Sequence, residues 1–332
     1  MNFASYMRDW LYGKEGYYRY SNIGKKGDFY TSVCVSKFFG GSIAFYLLRQ
    51  LEEKKLKLPL KIVEIGADKA QLISDIAQFL QVLSEGVLQE CEFISIEPLD
   101  ELANLQKDNF LRHTGFDLKS YFCFKDLKLK ENDCVFIVCN EVFDALVCEV
   151  IYEGKMAYVD KHQVVWKDIS PEISSLMGQY QIFKGELPIE LESFISEILE
   201  NLEKCEKWEF LIFDYGQWEA RNDINLRVYQ NHQVKNFFEV QQNLESYYQK
   251  CDVTYDVNFS LLHNVFTSLG AKQLFYMPQG KALIELGLLD LLEKFAQTTS
   301  YKNYLREVAK VKTLISPGGL GERFQTISFK NQ

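Results

Sequence analysis

Four carboxylates and one glycine carry most of the chemistry this sequence can offer. Gly66 closes an apolar run of Ile62, Val63 and Ile65, and Leu72, Ile73, Ile76 and Leu80 follow at helical spacing. Glycine in a strand-to-helix turn reaches positive φ and lets a ligand approach the backbone. Thirty-one residues on, a second apolar run over 93–96 ends on Glu97. An acid there is placed to accept hydrogen bonds from a ribose diol, or, beside Pro98, to favour a helix start. After Gly66 come Ala67, Asp68, Lys69 and Ala70, where a dinucleotide fold has more glycines. That turn does not suit a pyrophosphate. It suits a nucleoside without phosphate, such as S-adenosylmethionine, or an ordinary αβ turn.

A second group lies in Asn140-Glu141-Val142-Phe143-Asp144. Glu141 and Asp144 share a face if a helix starts there. At the mouth of a parallel sheet, such a pair matches the donor fork of a guanidinium; two helix-start acids are the plain alternative. Asp126, after Tyr121-Phe122-Cys123-Phe124, reads equally as an acceptor for an adenine amino group and as a surface turn. Two polar-aromatic loops, 27–32 and 214–216, hold rings that could face a sulfonium cation.

These residues need a scaffold, and the 332-residue chain can bury one large core or two modest ones. Its apolar content of 47% marks it as globular, and the net charge of −9 argues against nucleic acid as the main partner. The eight cysteines form no CxxC and only four histidines occur, so reduced thiols are expected in place of disulfides or a metal site. No secretory signal pattern or membrane-length apolar run is visible, and a cytoplasmic protein is expected. Strands are expected at 61–65, 93–97, 120–124, 134–139 and 208–216, with helices between the first three. This is a mostly parallel α/β sheet. Late strands at 271–279 and 324–330 flank helices at 280–296 and 299–315. Residues 149–166 alternate as antiparallel hairpins around Gly154 and Lys161-His162. The implied domains are a helical lid segment (1–60), the first part of a binding core (61–148), a hairpin and helix insertion (149–206, its helix over 188–204), and the rest of the core (207–332). An insertion at 217–258 and a helix at 259–270 fall within that last part.

At these residues the chain resembles the mitochondrial dysfunction protein A (MidA) family, which includes a mitochondrial complex I assembly factor that methylates an arginine. The matching pieces run in order. They include Gly16-Tyr17-Tyr18, Gly27-Asp28-Phe29-Tyr30-Thr31-Ser32, Phe39-Gly40, Val63-Glu64-Ile65-Gly66, Glu97 with Gln106, and Asn140-Glu141 with Phe143-Asp144-Ala145-Leu146. Asp214-Tyr215-Gly216, Leu226-Arg227, His232 and Gly321-Glu322-Arg323-Phe324 complete them. Where the family's loop reads Gly-Pro-Gly-Arg-Gly, this chain has Gly66-Ala67-Asp68-Lys69-Ala70.

The resemblance implies a class I methyltransferase-like, Rossmann-type fold with a late antiparallel strand. It also implies S-adenosylmethionine as cofactor and an arginine of a protein, in respiratory-complex assembly or similar, as acceptor. It assigns Glu64, Gly66, Glu97 and Asp126 to the cofactor, with Asp28, Thr31 and Ser32 covering it. Asn140, Glu141 and Asp144 go to the reacting end and Asp214 to the acceptor cleft. No nucleic acid or metal enters the reading, and a homodimer is compatible with it. Two other readings stand beside it: a binding or assembly protein that has lost catalysis, and a nicotinamide-dependent oxidoreductase.

Overall fold

The computed structural model describes residues 1–20, 31–230 and 233–332. The chain groups into two compact units. One comprises Met1–Tyr30, Val142–Ile195 and Tyr215–Val265; the other comprises Thr31–Glu141, Ser196–Asp214 and Phe266–Gln332.

The second unit is built on seven strands of an eight-strand sheet: β1 (Leu60–Ile65), β2 (Cys91–Ile96), β3 (Leu118–Tyr121), β4 (Cys134–Asn140), β5 (Lys207–Gln217), β6 (Lys272–Pro278) and β7 (Phe324–Lys330). Their order is β3-β2-β1-β4-β5-β7-β6. From β3 to β5 every pair is parallel, and β7 runs antiparallel to β6. Strands covered by helices on both faces read as unbroken apolar runs, and residues 134–139 of β4 are wholly enclosed. The mostly parallel sheet with a late antiparallel strand is therefore present. β3 is shorter than the expected 120–124, because the chain turns after Tyr121 into a 3₁₀ turn at Phe124–Asp126. The helix expected over 280–296 is two, Gln279–Glu285 and Leu288–Thr298. Gly287 divides them at φ 101°, where a Cβ would strike Phe45.

Helix Phe38–Glu52 packs on α1 (Gln71–Leu83) through Gly40 and Gly41. A Cβ on Gly40 would lie 2.8 Å from the Cβ of Asp75, and one on Gly41 2.7 Å from the Phe79 ring. The glycine pair thus sets how closely α1, which follows the Gly66 turn, can be held.

In the first unit, helix Phe3–Tyr12 buries Phe3, Tyr6, Met7 and Trp10 in an apolar core. The hairpins expected over 149–166 are there. Both two-residue turns, Glu153-Gly154 and Lys161-His162, have positive φ at each position (47° and 72°; 47° and 58°). This is the primed geometry that matches strand twist. Residues 217–258 are more ordered than a plain insertion: Arg227–Gln230, Gln233–Asn236 and Asp252–Thr254 form a three-stranded sheet. Among the described residues no helix is long and apolar enough to cross a membrane.

Gly40→Ala is expected to destabilise the chain by about 1–3 kcal/mol through overpacking. Gly86→Ala, in a short helix with open space at its Cβ, is expected to be neutral or to stabilise by up to about 1 kcal/mol. Urea unfolding of both variants checks the pair; equal effects would contradict the close-packing account.

Candidate cofactor site

Parallel strands leave their carboxyl ends at one edge, and the loops there carry the candidate residues. After β1 the backbone alternates in hand: Gly66 at φ 69°, Asp68 at 42° and Ala70 at 60°. Gly66 is exposed, whereas Ala67 and Ala70 are buried. Asp68 and Ala70 occupy the two positions where the family pattern has glycine, and both keep a left-handed backbone.

Two side chains from α2 (Asp100–Thr114) hold this loop. Gln106 Nε2 donates to the Asp68 carbonyl at 3.0 Å, and Asn109 Nδ2 to that of Lys69 at 3.2 Å. Three apart on one helix, they reach adjacent carbonyls. The same Gln106 Nε2 donates to Glu97 Oε2 at 2.9 Å, and the Leu99 N–H donates to Glu97 Oε1 at 3.0 Å. One amide thus ties the loop after β1 to the acid after β2. The start of α1 is capped from the strand. Ala70 offers no side-chain acceptor, and Glu64 Oε2 accepts from the Ile73 N–H at 3.0 Å.

Burial dominates the titration of these acids. It pushes Glu64 up to about 8, opposed by the Ile73 N–H. Glu97 rises to about 7, again by burial, with the Leu99 N–H and Gln106 opposing and Asp68 adding to the rise. Burial also lifts Asp68 to about 6 against Lys69, and Asp75 to about 6 against Gln71 and Lys37. The hydrogen-bond partners of Glu64 and Glu97 are uncharged N–H groups. The edge therefore concentrates desolvated acids, a setting in which a bound cation favours the ionised carboxylates.

At the end of β4, Asn140 Nδ2 donates to Glu141 Oε1 at 2.9 Å. Asn140 Oδ1 is buried with no partner among the described residues. No helix starts at Glu141. It sits at φ 57° with its N–H bonded to the Phe213 carbonyl at 3.0 Å, and a 3₁₀ turn, Phe143–Ala145, follows. The shared helical face expected for Glu141 and Asp144 is thus not formed. Asp144 belongs to the first unit, where it is buried and its carbonyl accepts from Tyr255 at 3.1 Å.

The remaining candidates are engaged locally. Thr31 caps the helix Ser32–Val35 through Cys34. Ser32 is fully buried and donates to Gln279 Oε1 at 2.9 Å, so its hydroxyl serves packing and not an open surface. Asp126 is exposed, and its carboxylate accepts from the Cys123 N–H at 3.4 Å, the surface-turn alternative. Asp214 has no exposed surface, so it lines no open cleft in this conformation. The Cys139 thiol is pushed well up by burial and then by the charges of Asp214 and Glu64. Asp28 and His232 lie outside the described residues. In the sequence Gln106 stands only as a matching piece beside Glu97, and Asn109 carries no signal; their holding role depends on where α2 lies against the loop.

A sheet of this order with an open left-handed turn after its first strand is the class I S-adenosylmethionine-dependent methyltransferase fold. The model of a family described as "Putative S-adenosyl-L-methionine-dependent methyltransferase" matches residues 42–277, and the chain belongs to that family. It is 23% identical over 363 residues to human "Protein arginine methyltransferase NDUFAF7, mitochondrial", covering 97% of this chain and 78% of that one. It is also 23% identical over 337 residues to the Caenorhabditis elegans homolog, covering 91% and 75%. A Burkholderia thailandensis protein crystallised with S-adenosyl-homocysteine superposes with a TM-score of 0.78 at 20% identity, over 99% of this chain and 87% of that one. The class I fold, the family resemblance and the S-adenosylmethionine cofactor read from the sequence all stand.

The folded Glu64 carboxyl keeps its proton to about pH 8, against roughly 4.3 in an unfolded chain. Its stabilising contribution is full below the unfolded value and is lost as pH rises through the folded one. Glu64→Gln preserves an acceptor for Ile73 and does not titrate. Its stability relative to wild type is therefore expected to improve between about pH 5 and about pH 8 in urea unfolding. A difference constant across that window would count against the assignment.

Proposed function

We propose that this methyltransferase transfers a methyl group from S-adenosylmethionine to a protein side chain, an arginine guanidinium. The observation that carries the cofactor end is Glu97, buried, desolvated and fixed by Gln106 to the loop behind the exposed Gly66. These residues fit a cationic nucleoside. An open glycine admits the ligand, a positioned carboxylate can accept from ribose hydroxyls, and the surrounding acids favour positive charge. Glu97 and the residue 66–70 backbone would hold the cofactor. Glu64 acts on it indirectly, by capping α1 and thereby fixing the turn. Bound there, S-adenosylmethionine supplies a methyl carbon already activated by its sulfonium.

The protein's remaining task is to position an acceptor and exclude water. Asn140 and Glu141 are proposed for the acceptor end. The orphaned Asn140 Oδ1 is an acceptor awaiting an N–H donor, and Glu141 is held left-handed, a conformation that tends to persist where function requires it. Glu141, whose Oε1 accepts from Asn140 Nδ2 at 2.9 Å, is proposed to take the proton that the guanidinium nitrogen loses. The arginine assignment is supported by the names of the relatives and by the affinity of a carboxylate such as Glu141 for a guanidinium.

Glu97→Ala is expected to weaken S-adenosylhomocysteine binding by roughly tenfold or more, the worth of a charge-assisted bond. Calorimetry showing unchanged affinity would remove Glu97 from the site. Glu141→Gln is expected to bind the same ligand normally and to lower methyl transfer to an arginine-containing protein substrate by about 10²–10⁴. Equal turnover of variant and wild type would refute the proton-accepting role.

A further inference from the structure

At the opposite edge of the same sheet, where β5 begins and β7 ends, lies a cavity of about 700 Å³. Its walls include Leu274, Phe275, Met277 and Trp208. Two polar side chains that line it, Gln50 and Glu209, are only 5% and 3% exposed. Glu209 Oε1 accepts from Tyr46 Oη at 2.7 Å and from Ser328 Oγ at 2.8 Å. Its second oxygen and the whole amide of Gln50 have no partner among the described residues. These polar atoms open onto the cavity, so two side chains that are otherwise enclosed present free hydrogen-bonding groups to whatever fills it.

The outer part of the cavity carries both signs of charge: the acids Glu53, Glu206 and Glu285 and several cations. Lys55 pairs with Glu53, Arg49 donates to the Glu285 carbonyl, and Lys207 donates to the Lys54 carbonyl. Lys330, less buried than Glu209, has no ion-pair partner among the described residues. The cavity thus offers an inner carboxyl and amide, apolar walls, and an outer ammonium.

We propose that this cavity is a second ligand site, separate from the methyl-transfer site, for a small zwitterion: an ammonium or guanidinium group against Glu209 and Gln50, an apolar body against Trp208 and Phe275, and a carboxylate at Lys330. Burial, partly offset by Tyr46 and Ser328 and then by the charges of Lys55 and Lys330, holds the Glu209 carboxyl above its usual range, and a bound cation favours its ionised form. No covalent step is involved, and the site stands whether or not the acceptor of methyl transfer is arginine.

Ligand-observed NMR on the full chain, with excess S-adenosylhomocysteine present, tests this with 6-aminohexanoate, hexylamine and hexanoate as probes. Saturable millimolar or tighter binding of 6-aminohexanoate is expected, with each half-charged probe weaker by about tenfold, one charge-assisted contact. Glu209→Gln still accepts from Tyr46 and Ser328, so the fold survives, and it should lower the affinity by a similar factor. Lys330→Gln should abolish the preference over hexylamine. The absence of saturable binding to folded wild type, or binding indifferent to Glu209→Gln, would overturn the proposal.

Discussion

The candidate cofactor site depends on one side-chain amide. Gln106 donates both to Glu97 and to the Asp68 carbonyl, so the acid after β2 and the loop after β1 move as one piece. Without it, the Glu97 carboxylate would lose one of its two hydrogen bonds in a place where burial already disfavours its charge. The loop would also lose a restraint on a backbone that two non-glycine residues hold left-handed. Asn109 adds a second tether one residue further along, and Glu64 anchors the far end of the loop by capping α1.

This arrangement explains how a methyltransferase loop can dispense with two of its three glycines. Left-handed conformation costs an ordinary residue roughly 1–2 kcal/mol, with aspartate among the least penalised. Hydrogen bonds from a neighbouring helix can meet that cost, and here they do. A methionine-derived cofactor asks less of the loop than a dinucleotide, since no pyrophosphate must lie against the backbone. The acids around the loop serve the same end. Glu64, Asp68, Asp75 and Glu97 are all desolvated, an environment that disfavours a phosphate and favours a sulfonium.

Much of this was legible in the chain. The apolar runs of β1 and β4 are long because both faces are buried, and that signal survives without an alignment. The distance of Glu97 from Gly66 marks it as a candidate, and alternation marks the hairpins at 149–166. Side-chain bookkeeping was not legible. Ser32 and Asp214 look polar and available in sequence, yet tertiary packing encloses both. Glu141 and Asp144 have helical spacing, but Glu141 takes a left-handed conformation and a 3₁₀ turn intervenes, so the period did not decide the geometry. The role of Gln106 depends on where α2 lies against the loop, which no local pattern encodes. The same holds for Glu209, an apparent interruption in an apolar strand that proves to face a cavity.

The central claim is that the loop over residues 66–70 already holds a ligand-ready conformation with Asp68 and Ala70 in place of glycine. The most direct measurement is calorimetry of S-adenosylhomocysteine on the wild-type chain and on the double variant Asp68→Gly, Ala70→Gly. Saturable binding by wild type, changed by no more than about threefold in the variant, under roughly 1 kcal/mol, is the predicted result. Binding that appears only once both glycines are restored would contradict it.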